Sequence, residues 1–308
     1  MNRFTEWLPD HVDRRIRLFA WLSFIAETTI IATGGAVRLT GSGLGCPTWP
    51  TCTADSLIPT EELSYHSLIE FGNRMMTGVV GIVALVLFVL VWRIRAERRD
   101  LFVLTFVIGA GVVAQAIVGG ITVWTGLNPF IVGFHYLSSL VLVCVSAAIL
   151  ARLDAVPGAR ELAVPRWYAA LTHATTAMLF VSIVFGVLTT GSGPHSGDAA
   201  AGRTGFDSEL LEHVHAWPGY VVFALTLVLV AGAWRLRLPT LGWSIVLLGA
   251  LLVQIAVGLY QARSGLPPLA VGVHMVLAAL TAATMTVVVL RLKHPVSADR
   301  PVAAPVRA

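Results

Sequence analysis

The sequence predicts an all-α integral membrane protein, with eight transmembrane helices arranged as two tandem four-helix bundles related by a pseudo-two-fold axis along the membrane normal. Three observations predict it: a scarcity of charge, eight long apolar runs, and an internal repeat. Only 12% of the 308 residues are Asp, Glu, Lys or Arg and 56% are hydrophobic, and mean hydropathy is +0.79. Soluble domains carry roughly 25% charged residues, and a chain this poor in them cannot cover a water-facing surface with polar side chains. Soluble enzymes and disordered chains are excluded. The net charge of +4 does not indicate a nucleic-acid binder, because the basic residues fall in short clusters between apolar runs and form no stripe.

The apolar runs cover 17–37, 69–92, 101–124, 131–151, 167–190, 210–234, 241–262 and 269–290. Each reaches about the 20 residues a helix needs to cross the hydrocarbon core, and lipid offers a backbone no hydrogen bonds, so each must be helical. Arg14, Arg15 and Arg17 precede the first run and no small-residue cleavage site follows it, which marks a retained span and not a signal peptide. With the N-terminus inside, the 21 Lys and Arg residues, Arg3, Arg300 and Arg307 among them, all fall in inside segments except Arg38, Arg74, Arg203 and Arg263. The positive-inside rule then puts both termini in the cytoplasm and the loop holding Cys46 and Cys52 outside. Trp92, Trp124, Trp167, Trp234 and Trp243 fall at span ends, as an interfacial belt requires. No mitochondrial transit peptide is visible, so a bacterial plasma membrane is the expected location.

The repeat is legible as four landmarks in the same order. Thr40-Gly41-Ser42-Gly43 after span 1 matches Thr190-Gly191-Ser192-Gly193 after span 5, and Glu70 with Asn73 opening span 2 matches Glu212 with His215 opening span 6. Gln115 and Gly126-Leu127 in span 3 match Gln254 and Gly265-Leu266 in span 7, and Val132-Gly133-Phe134-His135 matches Val271-Gly272-Val273-His274. Each half has an even number of spans, so the copies share one orientation. Residues 1–155 are expected to form one bundle and 156–308 the other, joined by a polar cytoplasmic linker over 152–166 with Pro157 and Pro165.

Ionisable groups in lipid are costly and mark function. His215 and His274 come from different helices at similar depth, which suits an axial pair for haem iron between helices; two separately satisfied polar residues are the plainer alternative. His135 occupies the matching place in the first half, but Asn73 stands where His215 stands in the second. Asn is a weak iron ligand, so the first half is expected to hold an open coordination position beside the Glu70 carboxylate. Glu70 could equally pair with Arg74 at i+4, and Asn73 could simply bridge helices. Cys46 and Cys52 suit a disulfide outside the cytoplasm, with free thiols or a redox-cycling dithiol as alternatives. Cys144 suits packing. His66 is placed to meet a propionate or water, Glu212 to share a helix face with His215, and His213 to face away from it. Arg38, Arg74, Arg203 and Arg263 could meet propionates or snorkel.

The eight spans in two halves, the Gly45-Cys46-Pro47 to Cys52 loop, the Ile69-Glu70-Phe71-Gly72-Asn73-Arg74 run and the His opening each of spans 4 and 8 together resemble the haem A synthase family. The resemblance covers nearly the whole chain outside the tails. It implies an oxidoreductase that converts a methyl group of haem O, at porphyrin position C8, to a formyl group, giving haem A for cytochrome oxidase. It further implies an iron-containing haem b held by His215 and His274, substrate haem against His135, Glu70 as the essential carboxylate, and a Cys46–Cys52 disulfide. The haem O-forming farnesyltransferase, cytochrome oxidase assembly factors, membrane lipid and an electron partner are the implied associates. Asn73 departs from members with a second His there. Two rival functions remain: a di-haem cytochrome b carrier oxidising quinol, which requires two bis-His sites, and a transporter, which requires no haem.

Overall fold

In a computed structural model, residues 7–60 and 64–296 are described; Arg3, Arg300 and Arg307 lie outside them. Eight helices are long and apolar enough to cross a membrane. They are α1 (Arg14–Leu39), α2 (Tyr65–Val91), α3 (Arg99–Trp124), α4 (Pro129–Arg152), α5 (Arg166–Ser192), α6 (Ser208–Leu236), α7 (Leu241–Arg263) and α8 (Pro268–Leu290). Each expected span lies on one of them, with ends moved by a few residues. The ends follow local chemistry. Asp13 caps α1 by accepting hydrogen bonds from the amides of Arg15 and Ile16, Asp207 caps α6 in the same way, and Pro129 and Pro268 open α4 and α8, where a missing N–H costs nothing.

Within the first half, α1 packs on α2 and α4, and α3 packs on α2 and α4; α5–α8 repeat the same neighbour pattern. Ile16, Ala20, Leu87, Leu101, Ile108 and Ile149 fill the centre of the first group. Leu179, Val222, Leu247 and Met285 belong to the second. The halves meet through α1, α4 and α8, where Ile31, Leu140, Val143 and Ala147 interdigitate with Ala279, Ala283 and Val287. Small residues on α8 let the backbones approach closely, which is how helices associate when lipid removes the hydrophobic incentive. Large apolar side chains such as Phe106, Ile117, Phe180 and Trp234 point outward, as a lipid-facing surface demands.

The repeat extends to the backbone. Gly126 and Leu127 after α3 both have positive φ, and so do Gly265 and Leu266 after α7. In each turn the Leu amide reaches back to a helix carbonyl, Thr122 in one case and Gln261 in the other. A leucine in the left-handed region is uncommon, so the same strained turn twice reflects one local design.

The linker carries a short strand. Its β1 (Arg160–Leu162) pairs antiparallel with β2 (Lys293–Pro295) after α8, which ties the connection between halves to the end of the last helix. On the same side, Arg17 pairs with Asp154, and the buried Arg98 donates to the carbonyls of Arg152 and Leu153 at the end of α4.

Candidate functional site

A cavity of about 910 Å³ opens between the helices, and its walls come from both halves, including Glu70, Asn73, His135, His215 and His274. Its volume is in the range of cofactor sites.

In the second half, α6 and α8 bring the His215 and His274 rings to a centroid separation of 6.2 Å, with their planes nearly perpendicular. The Nδ1–H of His215 donates to the Ser182 carbonyl at 2.8 Å, which fixes the tautomer and leaves Nε2 with its lone pair. Gly186 on α5 makes room for this ring: a Cβ there would lie 2.8 Å from His215 Cε1. Gly258 does the same for His274, where a Cβ would come within 3.1 Å of Cε1. The Nδ1 of His274 and the Oε1 of Gln254 are both buried without a hydrogen-bond partner, while Gln254 Nε2 donates to the His274 carbonyl at 3.2 Å.

The first half places the same residue types differently. His135 Nδ1 meets Gln115 Oε1 at 3.1 Å, and Gln115 Nε2 also donates to the His135 carbonyl and to Ser139 Oγ. Gly119 leaves His135 looser space, since a Cβ there would lie 3.6 Å from Cε1. Asn73 Oδ1 accepts a hydrogen bond from Thr33 Oγ1 at 2.7 Å, so the helix bridge that its position allows does form.

Glu70 is 5% exposed and both of its oxygens are engaged. Oε1 accepts from Arg74 Nε at 3.1 Å and from Nη2, and Oε2 accepts from the Cys46 amide at 2.7 Å. Arg74 spends its remaining donors on the carbonyls of Cys46, Thr48 and Thr51. The pair therefore clamps the loop after α1 to α2. That loop is closed by a Cys46–Cys52 disulfide, which decides between the bonded and free-thiol alternatives; Cys144 is a free thiol. Trp49 from the loop packs where Gly120 of α3 leaves room for it and meets Trp124 edge to face. Trp49 and Pro50 both line the cavity.

The remaining expected residues separate into those at the cavity and those away from it. Glu212 lines the cavity but is exposed. His213, two residues from His215, is exposed, lines the cavity edge and meets the Glu209 carbonyl at 2.8 Å. His66 meets the buried Ser42 Oγ through Nδ1 at 2.9 Å and stacks on Tyr65. Arg38 donates to the carbonyls of His195 and Thr190, fastening α1 to the second half; Arg203 likewise serves the carbonyls of Ala201 and Pro194. Sequence reasoning passes over Glu27, which is 2% exposed, lines the cavity, and has a buried Oε1 without a partner. A lone carboxylate inside an apolar span was the available signal.

The donor set fits a porphyrin better than a bare ion. Two imidazoles face each other, and among the described residues no group of three or more His, Cys, Asp or Glu could hold a metal. Any ion between them would need equatorial ligands of its own. The orphaned His274 Nδ1 and the ring space beside Gly186 and Gly258 fit histidines whose position is set by something between them.

Residues 17–194 match the family model COX15-CtaA, described as a cytochrome oxidase assembly protein. The stretch holds Glu70, Asn73, His135 and both loop cysteines, and ends before His215 and His274. The chain is 38% identical over 130 residues to "Heme A synthase" of Lysinibacillus sphaericus, covering 42% of each chain. It is 30% identical over 139 residues to that of Listeria welshimeri, covering 45% of each, and 35% identical over 132 residues to that of Bacillus cereus, covering 41% of each. The matched stretch spans less than half the length of these curated relatives. The family match takes in more than half of this chain, and the chain belongs to the COX15-CtaA family of cytochrome oxidase assembly proteins.

Proposed function

We propose that the chain is a haem A synthase of the bacterial plasma membrane, oxidising the C8 methyl of haem O to a formyl group, with haem b as resident cofactor in the 156–308 half and haem O as substrate in the 1–155 half. The observation that carries this reading is the 6.2 Å separation of the His215 and His274 rings. His215, with its Nδ1–H committed to the Ser182 carbonyl, and His274 are the residues that would hold the iron of a haem b. When bound there, haem b would supply single-electron transfer.

The chain's own residues have separable tasks. Ser182 holds His215 so that Nε2 faces a ligand, and Gln254 is placed to do so for His274 once Oε1 and Nδ1 meet. Gln115 orients His135 in the same manner, leaving Nε2 for the substrate's iron. The bond between Asn73 and Thr33 occupies the side-chain oxygen of Asn73, which supports an open position opposite His135 and counts against a di-haem carrier. Glu70 already accepts from Arg74 and the Cys46 amide, so it serves better as fixed negative charge beside the substrate than as a freely exchanging base. The clamped disulfide loop, with Trp49 and Pro50 over the cavity, limits water entry. The cytoplasmic placement of both termini and the outer placement of the loop belong to the same proposal, as do association with the haem O-forming farnesyltransferase and an electron partner.

The test is porphyrin extraction from a host supplied with haem O, with and without this chain. Haem A is expected only with it, and unchanged porphyrin content would reject the activity. Glu70→Gln removes the charge while keeping the side chain's shape and one acceptor oxygen for Arg74 or the Cys46 amide, so it is the informative variant. It is expected to keep the haem b spectrum while halting the product at haem O or the alcohol; normal haem A output would reject a role for the charge.

A further inference from the structure

The cavity wall differs between the halves along the seam where α2 meets α3. Gly78 of α2 and Ala116 of α3 both line the cavity. The contact lower down fixes how these antiparallel helices face each other, since a Cβ on Gly81 would lie 3.8 Å from Val112 Cγ1. Gly78 lies three residues from Gly81 and Ala116 four from Val112, both toward the outer face, so the two are level across the seam. Gly78 is exposed, and a Cβ on it would meet nothing within 4 Å. The buried Val112 shuts the seam about 6 Å below Ala116, and Trp49, seated over Gly120, shuts it about 6 Å above. At the matching positions of the second half, five residues after His215 and one after Gln254, stand Tyr220 and Ile255, which also line the cavity. One half thus has its two smallest side chains where the other has two large ones.

The opening faces lipid, because Met75, Val79, Ile82 and Val113 around it are exposed apolar side chains. Behind it lies the compartment of His135 and Asn73. Glu27 belongs to that compartment, two turns below Gly34 on one face of α1, and a Cβ on Gly34 would lie 3.8 Å from Asn73 Oδ1. Glu27 is 2% exposed, lines the cavity, and its Oε1 has no partner. A buried acceptor left unmatched is costly, which marks the compartment as a place for a ligand. A gap bounded this closely passes a hydrocarbon chain and not a macrocycle. We propose that it is a lateral window through which the apolar chain of an amphiphilic ligand, whose body sits in the first-half cavity, extends into the bilayer. A chain that stays in lipid gives up no hydrophobic stabilisation on binding, and the cavity need not enclose it. The inference rests on the haem O reading for its natural ligand, since haem O carries a farnesyl chain that haem b lacks.

The test uses the purified full chain in phosphatidylcholine vesicles, its second half first saturated with haem b. It is then titrated with haem O or with further haem b, and binding is read from the Soret absorption. Gly78→Trp plugs the window. This variant is expected to bind haem O at least about tenfold more weakly than wild type, because displacing two methylenes from lipid is already worth about that much. Its haem b affinity is expected to match wild type, which also shows that it is folded. Gly78→Ala, whose Cβ meets nothing, and Val79→Trp, on the lipid face of the same turn, are expected to bind both haems as wild type does. Undiminished haem O binding in Gly78→Trp, or equal loss of both haems, would overturn the proposal. The two readings fail differently: a wild type that takes up neither haem sinks the synthase function and the window's ligand with it, whereas haem O binding that ignores Gly78→Trp sinks the window alone.

Discussion

The two halves of the chain use the same helix positions for different ends. In the second half, His215 faces His274 at 6.2 Å, Ala216 follows His215 where Arg74 follows Asn73, and Glu212 is exposed at the cavity edge. In the first half, Asn73 turns to Thr33, Arg74 gathers Glu70 and three loop carbonyls, and a disulfide closes the loop above. One half brings together two imidazoles; the other has an amide in place of one of them and adds a buried charge pair beneath a disulfide-closed loop. The difference teaches that changing a few side chains at equivalent positions gives the two halves different polar surroundings while their turns and their His–Gln contacts stay in register.

The comparison breaks most completely at the imidazoles. His215→Ala or His274→Ala is expected to abolish a low-spin haem b signal, whereas His135→Ala should keep that signal and lose haem A output; absorption spectra and porphyrin extraction on each variant check both. Next comes the space around the rings. Gly186→Ala would set a Cβ 2.8 Å from His215 Cε1, while Gly119→Ala would lie an ordinary 3.6 Å from His135. Haem b content should therefore fall severalfold in the first variant and stay near wild type in the second. Asn73→His sharpens the contrast by restoring symmetry. It is expected to add a second bis-imidazole signal and to lower haem A output, at the cost of one hydrogen bond, about 1 kcal/mol.

The smallest effect lies outside the membrane at Asp13. Partial burial raises the pKa of its carboxyl, but the Ile16 amide and Arg15 outweigh that and hold it below its ordinary value of 3.8. A lowered folded-state value means the stabilisation is present above the unfolded pKa and is lost as pH falls through the folded one. Asp13→Ala is expected to cost about 1 kcal/mol, seen as a lower melting temperature at pH 7 and little change near pH 2.

Much of this was legible in the sequence because lipid enforces it. Eight runs of about 20 apolar residues leave no alternative to helices, and the repeat is carried by residue identities such as Gln115 with His135 and Gln254 with His274. The clamp between Glu70, Arg74 and the Cys46 amide was legible only in part: the i+4 ion pair follows from helix spacing, whereas the loop carbonyls depend on how the chain returns to α2. Arg38 reaching the His195 and Thr190 carbonyls and β1 pairing with β2 depend on contacts distant in sequence, which no periodicity encodes.

The most direct measurement is electron paramagnetic resonance of the purified ferric chain before and after addition of haem O. A division of labour between halves predicts one bis-imidazole low-spin signal at the start and a new signal of different ligation once the substrate is added. Two identical low-spin signals, or none at either stage, would contradict it.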